Sequence, residues 1–179
     1  MTRTLRPAAA LLFGATIAAS LAVGAVSRAA PTSKDATPGR VLTLKVDGAI
    51  TGGTAEYLAS ALARAKAEDF DAIAITLDTP GGELEATREI VRALLAAEVP
   101  TIVWVGPAGA RAGSAGVFLT IAADVAAMHP TSNIGAAHPV TGTGRDVEAE
   151  AGKDMAKKVE NDTAAFARSV AEAKGRNAD

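Results

Sequence analysis

The chain has 179 residues, of which 49% are hydrophobic and 3% aromatic, and its formal net charge at pH 7 is −2. This length and composition indicate one α/β domain with a substantial core and exclude a disordered chain. The chain contains no cysteine and two histidines. That excludes disulfides, a cysteine nucleophile and thiolate metal sites, and it argues against a histidine-rich metal site. We therefore expect no metal site of these kinds, and nothing in the composition points to a cofactor.

The first 29 residues have the pattern of a secretory signal peptide. Arg3 and Arg6 precede an apolar, uncharged run over 7–26, and Ser27–Ala29 form a small-x-small cleavage site. The run has about the 20 residues that a membrane span needs, so an uncleaved anchor is the alternative. The predicted organisation is a signal peptide over 1–29, a linker over 30–40 and an exported domain over 41–179. We expect such a domain to be periplasmic or otherwise extracytoplasmic, or to be associated with the membrane.

The exported domain is predicted to be acidic. Residues 1–29 contain three arginines and no acidic residue, so 15 basic and 20 acidic side chains remain without them. The remaining basic residues form no stripe along the sequence, and such a stripe is the usual signature of a nucleic-acid surface. We therefore expect no nucleic-acid partner.

Strands and helices alternate along the domain. Short apolar, β-branched runs predict strands over 41–46, 72–77, 101–105 and 125–128, with a short strand or extended segment over 133–137. Helical periodicity predicts helices over 54–66, 83–97, 117–123 and about 147–174. This order predicts an α/β fold with βαβ crossovers and a largely parallel sheet. The second strand is apolar almost throughout, which suits a sheet covered on both faces.

The same periodicity assigns an apolar face to three of the helices. The predicted faces include Tyr57 in the first helix, Leu84 and Leu95 in the second, and Met155, Val159, Phe166 and Val170 in the last. We expect these side chains to pack against the rest of the domain.

Two glycine loops follow the second and third strands. Pro80–Gly82 comes after the second strand, and Ser114 lies among glycines and alanines in Ala110–Gly116 after the third. Because the carboxyl ends of parallel strands meet at one edge of a sheet, both loops are expected to open into the same crevice. Ser114 then lies near a helix N-terminus, which favours the negative charge of an oxyanion. Ordinary turns and helix caps share this composition, so these residues alone leave catalysis and packing both open.

Five segments of the chain resemble a known family. They are Asp78–Gly82, Ala110–Gly116, His129–Pro139, Lys158–Asp162 and Gly175–Ala178. Together they resemble the ClpP-class serine proteases and, more narrowly, the membrane-associated NfeD-type proteases, over about residues 41–179. The resemblance implies a ClpP/crotonase-like fold with repeated β-β-α or βαβ units. Members of this family usually continue well past the last segment, so the protease domain is predicted to be C-terminally truncated relative to them.

The resemblance also implies a chemistry. Proteases of this family use a Ser–Lys dyad, in which Ser114 corresponds to the nucleophile and Lys158 to the general base. The backbone N–H groups of Gly82 and Ala115 correspond to the oxyanion hole. The implied activity is that of an exported serine endopeptidase that cleaves apolar segments of membrane-associated proteins. A stomatin-like protein is the implied substrate and partner, and the implied assembly is a homo-oligomer.

Helix geometry leaves two interpretations of Lys158. The lysine lies at the edge of the predicted apolar stripe, where partial burial would lower the pKa of its amine, as a general base requires. Alternatively, Asp154, Lys158 and Asp162 form an exposed ladder of charges at i,i+4 spacing, which is ordinary on a solvated helix.

Two further alternatives remain open. His138 is an alternative base, because it lies close to where ClpP peptidases keep their catalytic histidine, offset by one residue; it would give a Ser–His type peptidase. The second alternative is a catalytically inactive crotonase-fold module that serves binding or assembly. An acyl-CoA role is a lesser variant of this module, and export argues against it.

Overall fold

The computed structural model describes residues 38–137, 148–149 and 152–178. Its strands are β1 (Val41–Asp47), β2 (Ala72–Asp78), β3 (Thr101–Val105), β4 (Arg111–Gly113), β5 (Val125–Met128) and β6 (Asn133–Gly135). Its helices are α1 (Gly52–Ala67), α2 (Leu84–Leu95), α3 (Ala115–Ala122) and α4 (Lys153–Ala173). The predicted signal peptide and most of the predicted linker lie outside the described residues. Within the described ranges, no helix is long and apolar enough to cross a membrane.

The main sheet is parallel throughout and has the strand order β1-β2-β3-β5. Val41 lies opposite Ala72 where β1 pairs with β2, and Ile73 lies opposite Thr101 where β2 pairs with β3. Parallel neighbours require a crossover connection, and α1, α2 and α3 lie in the three crossovers. The predicted α/β fold with a largely parallel sheet is confirmed.

One face of this sheet holds the core. Ile73, Ile75 and Leu77 of β2 are buried, and the residues between them are half-buried. The buried side chains form one hydrophobic cluster with those of α1, α2 and α3. On the opposite face, Trp104 of β3 is 38% exposed. Because strand residues point alternately to the two faces, the expectation that both faces are covered is wrong for the described part of the chain.

A second, two-stranded sheet supports the loops above the main sheet. It consists of β4 and β6, which pair in parallel with Arg111 opposite Asn133. A further bridge joins Thr79, just after β2, to Ala112 of β4. Strand β4 is not predicted by the sequence pattern, and β6 falls within the segment 133–137, predicted as a short strand or extended. Each strand has only three residues, too few for a periodic pattern.

Several side chains predicted to lie on buried helical faces are exposed. They are Tyr57, Leu84, Leu95 and Met155, each more than a third exposed. In α1 the buried face includes Leu58, and sequence neighbours on a helix lie 100° apart, so Tyr57 falls at the rim of the contact. Leu84 and Leu95 are the two end residues of α2, where fewer neighbours surround a side chain. Met155 lies in the half of α4 that precedes its first buried residue.

Helix α4 packs on α3 and runs in the same general direction. The ring of Phe166 stacks on that of Phe118 in α3, with the ring centroids 5.2 Å apart and an angle of 19° between the planes. Val170, one turn further on, is buried. The predicted last helix is thus confirmed over most of its length, but it is interrupted: residues 148–149 are helical, and Gly152, with φ 82°, precedes α4.

The C-terminal end of α4 is held to the end of α3 by two basic side chains. Arg176 Nε and Nη2 donate to the carbonyl oxygens of Ile121 and Ala123 at 3.0 and 2.7 Å. Such carbonyls at a helix C-terminus lack partners within the helix. Lys174 Nζ lies 2.6 Å from Asp124 Oδ1. We call Lys174, Arg176 and Asp124 the C-terminal clasp.

Candidate active site

Ser114 occupies the tight turn that joins β4 to α3. Its backbone has φ 47° and ψ −108°, a conformation that residues with a side chain rarely adopt and that costs about 1–3 kcal/mol. The N–H of Ser114 donates to the carbonyl oxygen of Gly135 at 2.9 Å, so β6 holds the turn in place. The side chain is half-buried, and its Oγ has no hydrogen-bond partner among the described residues. The turn therefore presents a fixed hydroxyl with unused hydrogen-bonding capacity.

The loop Pro80–Gly82 lies directly against Ser114. A Cβ built on Gly81 would lie 2.6 Å from the Cβ of Ser114 and 3.2 Å from its Oγ, and the φ of Gly81 is +120°. Only glycine fits both the space and the backbone conformation at this position. Buried Thr79 fixes the loop, because its Oγ1 accepts the N–H of Gly81 at 3.1 Å and donates to the carbonyl oxygen of Gly81 at 3.2 Å. The two predicted glycine loops therefore meet.

Two backbone N–H groups near Ser114 lack an acceptor within the described ranges. Ile50 exchanges two backbone hydrogen bonds of 2.9 Å with the residues on either side of Gly82. In such a parallel bridge the middle residue points its own N–H away from the partner strand, so the N–H of Gly82 points away from Ile50. Ala115 is the first residue of α3, and its N–H is one of the unpaired donors of a helix N-terminus. Both predicted donors thus present an unused N–H.

Polar residues at the end of β2 hold β4 against this loop. Asp78 Oδ1 accepts the N–H of Arg111 at 3.0 Å, and the N–H of Thr79 donates to the carbonyl oxygen of Arg111 at 2.7 Å. The N–H of Gly113 donates to the carbonyl oxygen of Thr79 at 2.9 Å. Asp78 and Thr79 belong to the first of the five family-like segments, but the sequence alone assigns them no role. Their position directly after a buried strand was the available signal.

Lys158 lies in the N-terminal half of α4 and is exposed. The expected partial burial is therefore wrong, because the apolar stripe of α4 meets the core only from Thr163 onward. Among the described residues, Lys158 makes no hydrogen bond or ion pair, either with Ser114 or with any other residue. The ladder interpretation is also wrong in part, since Asp162 Oδ2 pairs with Arg88 Nη2 at 2.6 Å.

The direction of α4 nevertheless takes Lys158 toward Ser114. Lys158 precedes Phe166 by about 12 Å along the helix, and Ser114 precedes Phe118 by about 6 Å, at 1.5 Å per residue. Because the rings of Phe166 and Phe118 are stacked and the two helices run in the same general direction, Lys158 lies toward the Ser114 end of α3.

The alternative base His138 lies outside the described residues. Within the described ranges, no group of three or more His, Asp or Glu side chains is arranged to hold a metal ion. The assignment of the base stays a prediction.

The family model for the NfeD1b N-terminal domain matches residues 40–179. The chain belongs to the NfeD1b family. The predicted resemblance to NfeD-type proteins is thereby confirmed, over nearly the range in which the five segments lie. The matched family model describes an N-terminal domain, so the family also contains longer chains.

Two named proteins are similar to this chain in sequence. The membrane-bound protease PH1510 of Pyrococcus horikoshii is 34% identical over 141 residues, which cover 77% of this chain and 31% of the relative. The membrane protein NfeD1b of Bacillus subtilis is 30% identical over 111 residues, which cover 62% of this chain and 25% of the relative. The chain spans about a third or less of the length of these NfeD1b-family proteins.

Solved structures share the fold. A serine-to-alanine variant of the 1510-N membrane-bound stomatin-specific protease matches with a TM-score of 0.70 and 32% identity, covering 80% of this chain and 68% of that one. A lysine-to-alanine variant of the same protease, in complex with a substrate peptide, matches with a TM-score of 0.69 and 32% identity, covering 78% and 63%. ClpP1 of Listeria monocytogenes, at 21% identity and a TM-score of 0.51, covers 75% and 79%. The ClpP-like fold predicted for this NfeD1b-family chain is confirmed.

Proposed function

We propose that this chain is the peptidase domain of an exported, membrane-associated serine protease. The observation that carries the proposal is the turn of Ser114. Its strained backbone, its half-buried hydroxyl and its contact with Gly81 support this role, because the hydroxyl is held close to two backbone N–H groups that have no acceptor among the described residues. A serine held in an unfavourable conformation by β6 and a glycine loop fits a catalytic residue better than a helix cap, because a cap needs no strain.

In the proposed reaction, Ser114 Oγ attacks the carbonyl carbon of a peptide bond while Lys158 Nζ takes the hydroxyl proton. The carbonyl oxygen becomes negatively charged and accepts hydrogen bonds from the N–H groups of Gly82 and Ala115. Lys158 then returns the proton to the leaving amine as the C–N bond breaks. Water hydrolyses the acyl-serine ester in a second step, with Lys158 again as the base. Neither a metal ion nor a cofactor takes part.

Two of the solved relatives support the choice of a Ser–Lys dyad. The two variants of the stomatin-specific protease each replace one residue, a serine in one and a lysine in the other, and the lysine variant holds a substrate peptide. Lys158 is our candidate because of its place toward the Ser114 end of α3. By the same likeness we propose apolar segments of membrane-associated proteins, with a stomatin-like protein first among them, as substrates, and a homo-oligomer as the active assembly.

A serine-directed fluorophosphonate probe and a peptide from the apolar segment of a stomatin-like protein test the proposal together. Wild-type chain is expected to label at Ser114 and to cleave the peptide. Ser114→Ala is expected to lose both, with a reduction in kcat of about a thousandfold or more, and to keep the wild-type circular dichroism spectrum. Labelling and cleavage that persist in Ser114→Ala would exclude Ser114 as the nucleophile.

A non-catalytic binding module is the second candidate, and one observation favours it. Lys158 is exposed and makes no hydrogen bond with Ser114 in the described part of the chain. If the chain is such a module, the wild type will not label with the probe and will bind the peptide without cleaving it. If His138 is the base instead, His138→Ala will abolish cleavage and Lys158→Ala will not.

A further inference from the structure

One side chain connects the three helices that carry the proposed site. Arg88 extends from α2, and its Cζ lies 4.6 Å from the centre of the Phe166 ring in α4. That ring stacks in turn on Phe118 of α3. Helix α2 follows the glycine loop, α3 follows Ser114, and α4 carries Lys158. The stack of Arg88, Phe166 and Phe118 therefore sets the distance between the elements on which the chemistry depends.

Of the two acidic residues that lie four positions from Lys158, Asp154 and Asp162, Arg88 binds the second. Its Nη2 lies 2.6 Å from Asp162 Oδ2. Asp162 follows Lys158 by four residues, so the two side chains are neighbours on the surface of α4. In the structure the carboxylate of Asp162 turns to Arg88, and Lys158 has no ion pair among the described residues.

The proposed base must lose its proton to work, and a free carboxylate nearby would oppose that loss. An opposite charge within about 4–6 Å stabilises the charged form of an amine and raises its pKa. A positive guanidinium nearby acts in the other direction. Because Asp162 is paired with Arg88, its carboxylate is less available as a counter-ion for Lys158.

Resting on the proposed function, we propose that Arg88 is a positioning residue for the general base. It ties α4 to the helix that follows the glycine loop, and it keeps Asp162 engaged so that Lys158 stays without a counter-ion. The residue acts through Asp162 and Lys158 and touches no substrate.

Other charged groups share this region and set the background of the experiment. On α4 they are Asp154, Lys157 and Glu160, and on α2 they are Glu85, Glu89 and Arg92. Helix α3 has no charged residue. Among these groups, Arg92 Nε donates to the carbonyl oxygen of Arg88 at 3.2 Å, so this hydrogen bond lies within α2. Only Arg88 and Asp162 join α2 to α4 through an ion pair in the described ranges.

The proton affinity of Lys158 can be measured without any peptidase activity. Trace acetylation with acetic anhydride modifies only unprotonated amines, so its rate as a function of pH gives the midpoint of each lysine by mass spectrometry. The full chain with Ser114→Ala serves as the background, which prevents self-cleavage. Lys157, the exposed neighbour on α4, serves as the internal control in every sample.

The two single substitutions are expected to move the Lys158 midpoint in opposite directions. Arg88→Gln frees Asp162 and removes a positive charge, so the midpoint rises by about 0.2–0.4 pH unit. Asp162→Asn leaves Arg88 without its partner, so the midpoint falls by a similar amount. Arg88→Gln combined with Asp162→Asn removes both charges and returns the midpoint close to that of the parent. The midpoint of Lys157 moves less in each case.

A purely structural role of Arg88 predicts another pattern. Both single substitutions would then loosen α4 alike, with no opposed shifts and no return in the double variant, and that result overturns the proposal. Arg88→Lys, which keeps the charge, is expected to keep the parent midpoint. In chains that retain Ser114, the pH at half-maximal kcat is expected to follow the same opposed shifts. If Lys158→Ala still cleaves peptide while the labelling shifts appear, the proposed function fails and the charge arrangement around Lys158 stands.

Discussion

The two residues of the proposed site, Ser114 and Lys158, are held in place by different kinds of contact. Around Ser114 the contacts are made by backbone and by very small side chains, with Gly81 against its Cβ and a strand hydrogen bond to its N–H. Lys158 instead extends from an exposed part of α4, which is held by Phe166, by Arg88 and by the C-terminal clasp. Ser114, the proposed nucleophile, is therefore fixed by its immediate neighbours, which leave no space for a larger side chain. Lys158, the proposed base, depends on contacts that lie one or more helical turns away.

The largest effect is expected when the side chain of the proposed base is removed. Lys158→Ala is expected to reduce kcat by about 10²–10⁴-fold, the usual contribution of general acid–base catalysis. Because the side chain is exposed, the free energy of unfolding is expected to stay at the wild-type value. Lys157→Ala is the matched control on the same helix. Equal activity of the two variants in a peptide-cleavage assay would mean that Ser114 has another activator.

The local construction of the nucleophile is tested at Gly81. Gly81→Ala is expected to lower activity at least tenfold and stability by about 1–3 kcal/mol, because the new methyl group meets Ser114 and the φ of +120° suits only glycine. Gly48→Ala has a similar φ of +109° but no atom within 4 Å of the new Cβ. The control should therefore lose stability through its backbone alone and keep its activity. Activity losses of the same size in both variants would remove the special role of the Gly81 contact.

The remote support of the base is tested at the C-terminal clasp. Arg176→Ala leaves the carbonyl oxygens of Ile121 and Ala123 without their donor, at an expected cost of about 1–3 kcal/mol in the free energy of unfolding. Urea denaturation measures this cost. Arg168→Ala, at an exposed position of the same helix, is expected to cost less than about 0.5 kcal/mol. If the C-terminal clasp does not stabilise the fold, the two variants will have equal free energies of unfolding.

The smallest expected effect is the pH dependence of the clasp. Burial opposes the ionisation of Asp124, but hydrogen bonds from Lys174 and Thr101 outweigh it and lower the pKa of the carboxyl to about 2. The stability that this group contributes is therefore complete above its unfolded pKa near 3.8 and is lost as the pH falls through about 2. Since the carboxylate is 42% exposed, solvent screening limits the contribution to about 1 kcal/mol.

Urea titrations between pH 5 and pH 2 measure this contribution. The wild type is expected to lose about 1 kcal/mol more over this range than Asp124→Asn, whose amide does not titrate. Parallel curves for the two proteins would show that Lys174 and Asp124 do not interact in solution.

The same contrast between local and distant contacts explains which features could be predicted from the sequence. Strand β3 was predicted at its observed bounds, and the order of strands and helices predicted the parallel sheet, because runs of buried apolar residues carry a strong signal. The meeting of Gly81 and Ser114 followed from the rule that parallel strands end at one edge. The exposure of Lys158 could not be predicted from the sequence. Periodicity identifies the apolar stripe of a helix, but not how far along that stripe the neighbouring helix extends. Strand β4 and the pairing of Arg88 with Asp162 depend on distant residues for which the sequence holds no local pattern.

The position of the C-terminal clasp in the chain sets an order of assembly. Lys174 and Arg176 follow every strand and helix described here, so they are the last of these parts to leave the ribosome or to emerge from a translocation channel. Segments nearer the N-terminus begin to fold first as a chain emerges. A growing chain that has reached Ala137 already contains the serine turn, both glycine loops and the strands that support them. The helix of the proposed base is secured only later, so the proposed site is assembled only after Lys174 and Arg176 have emerged.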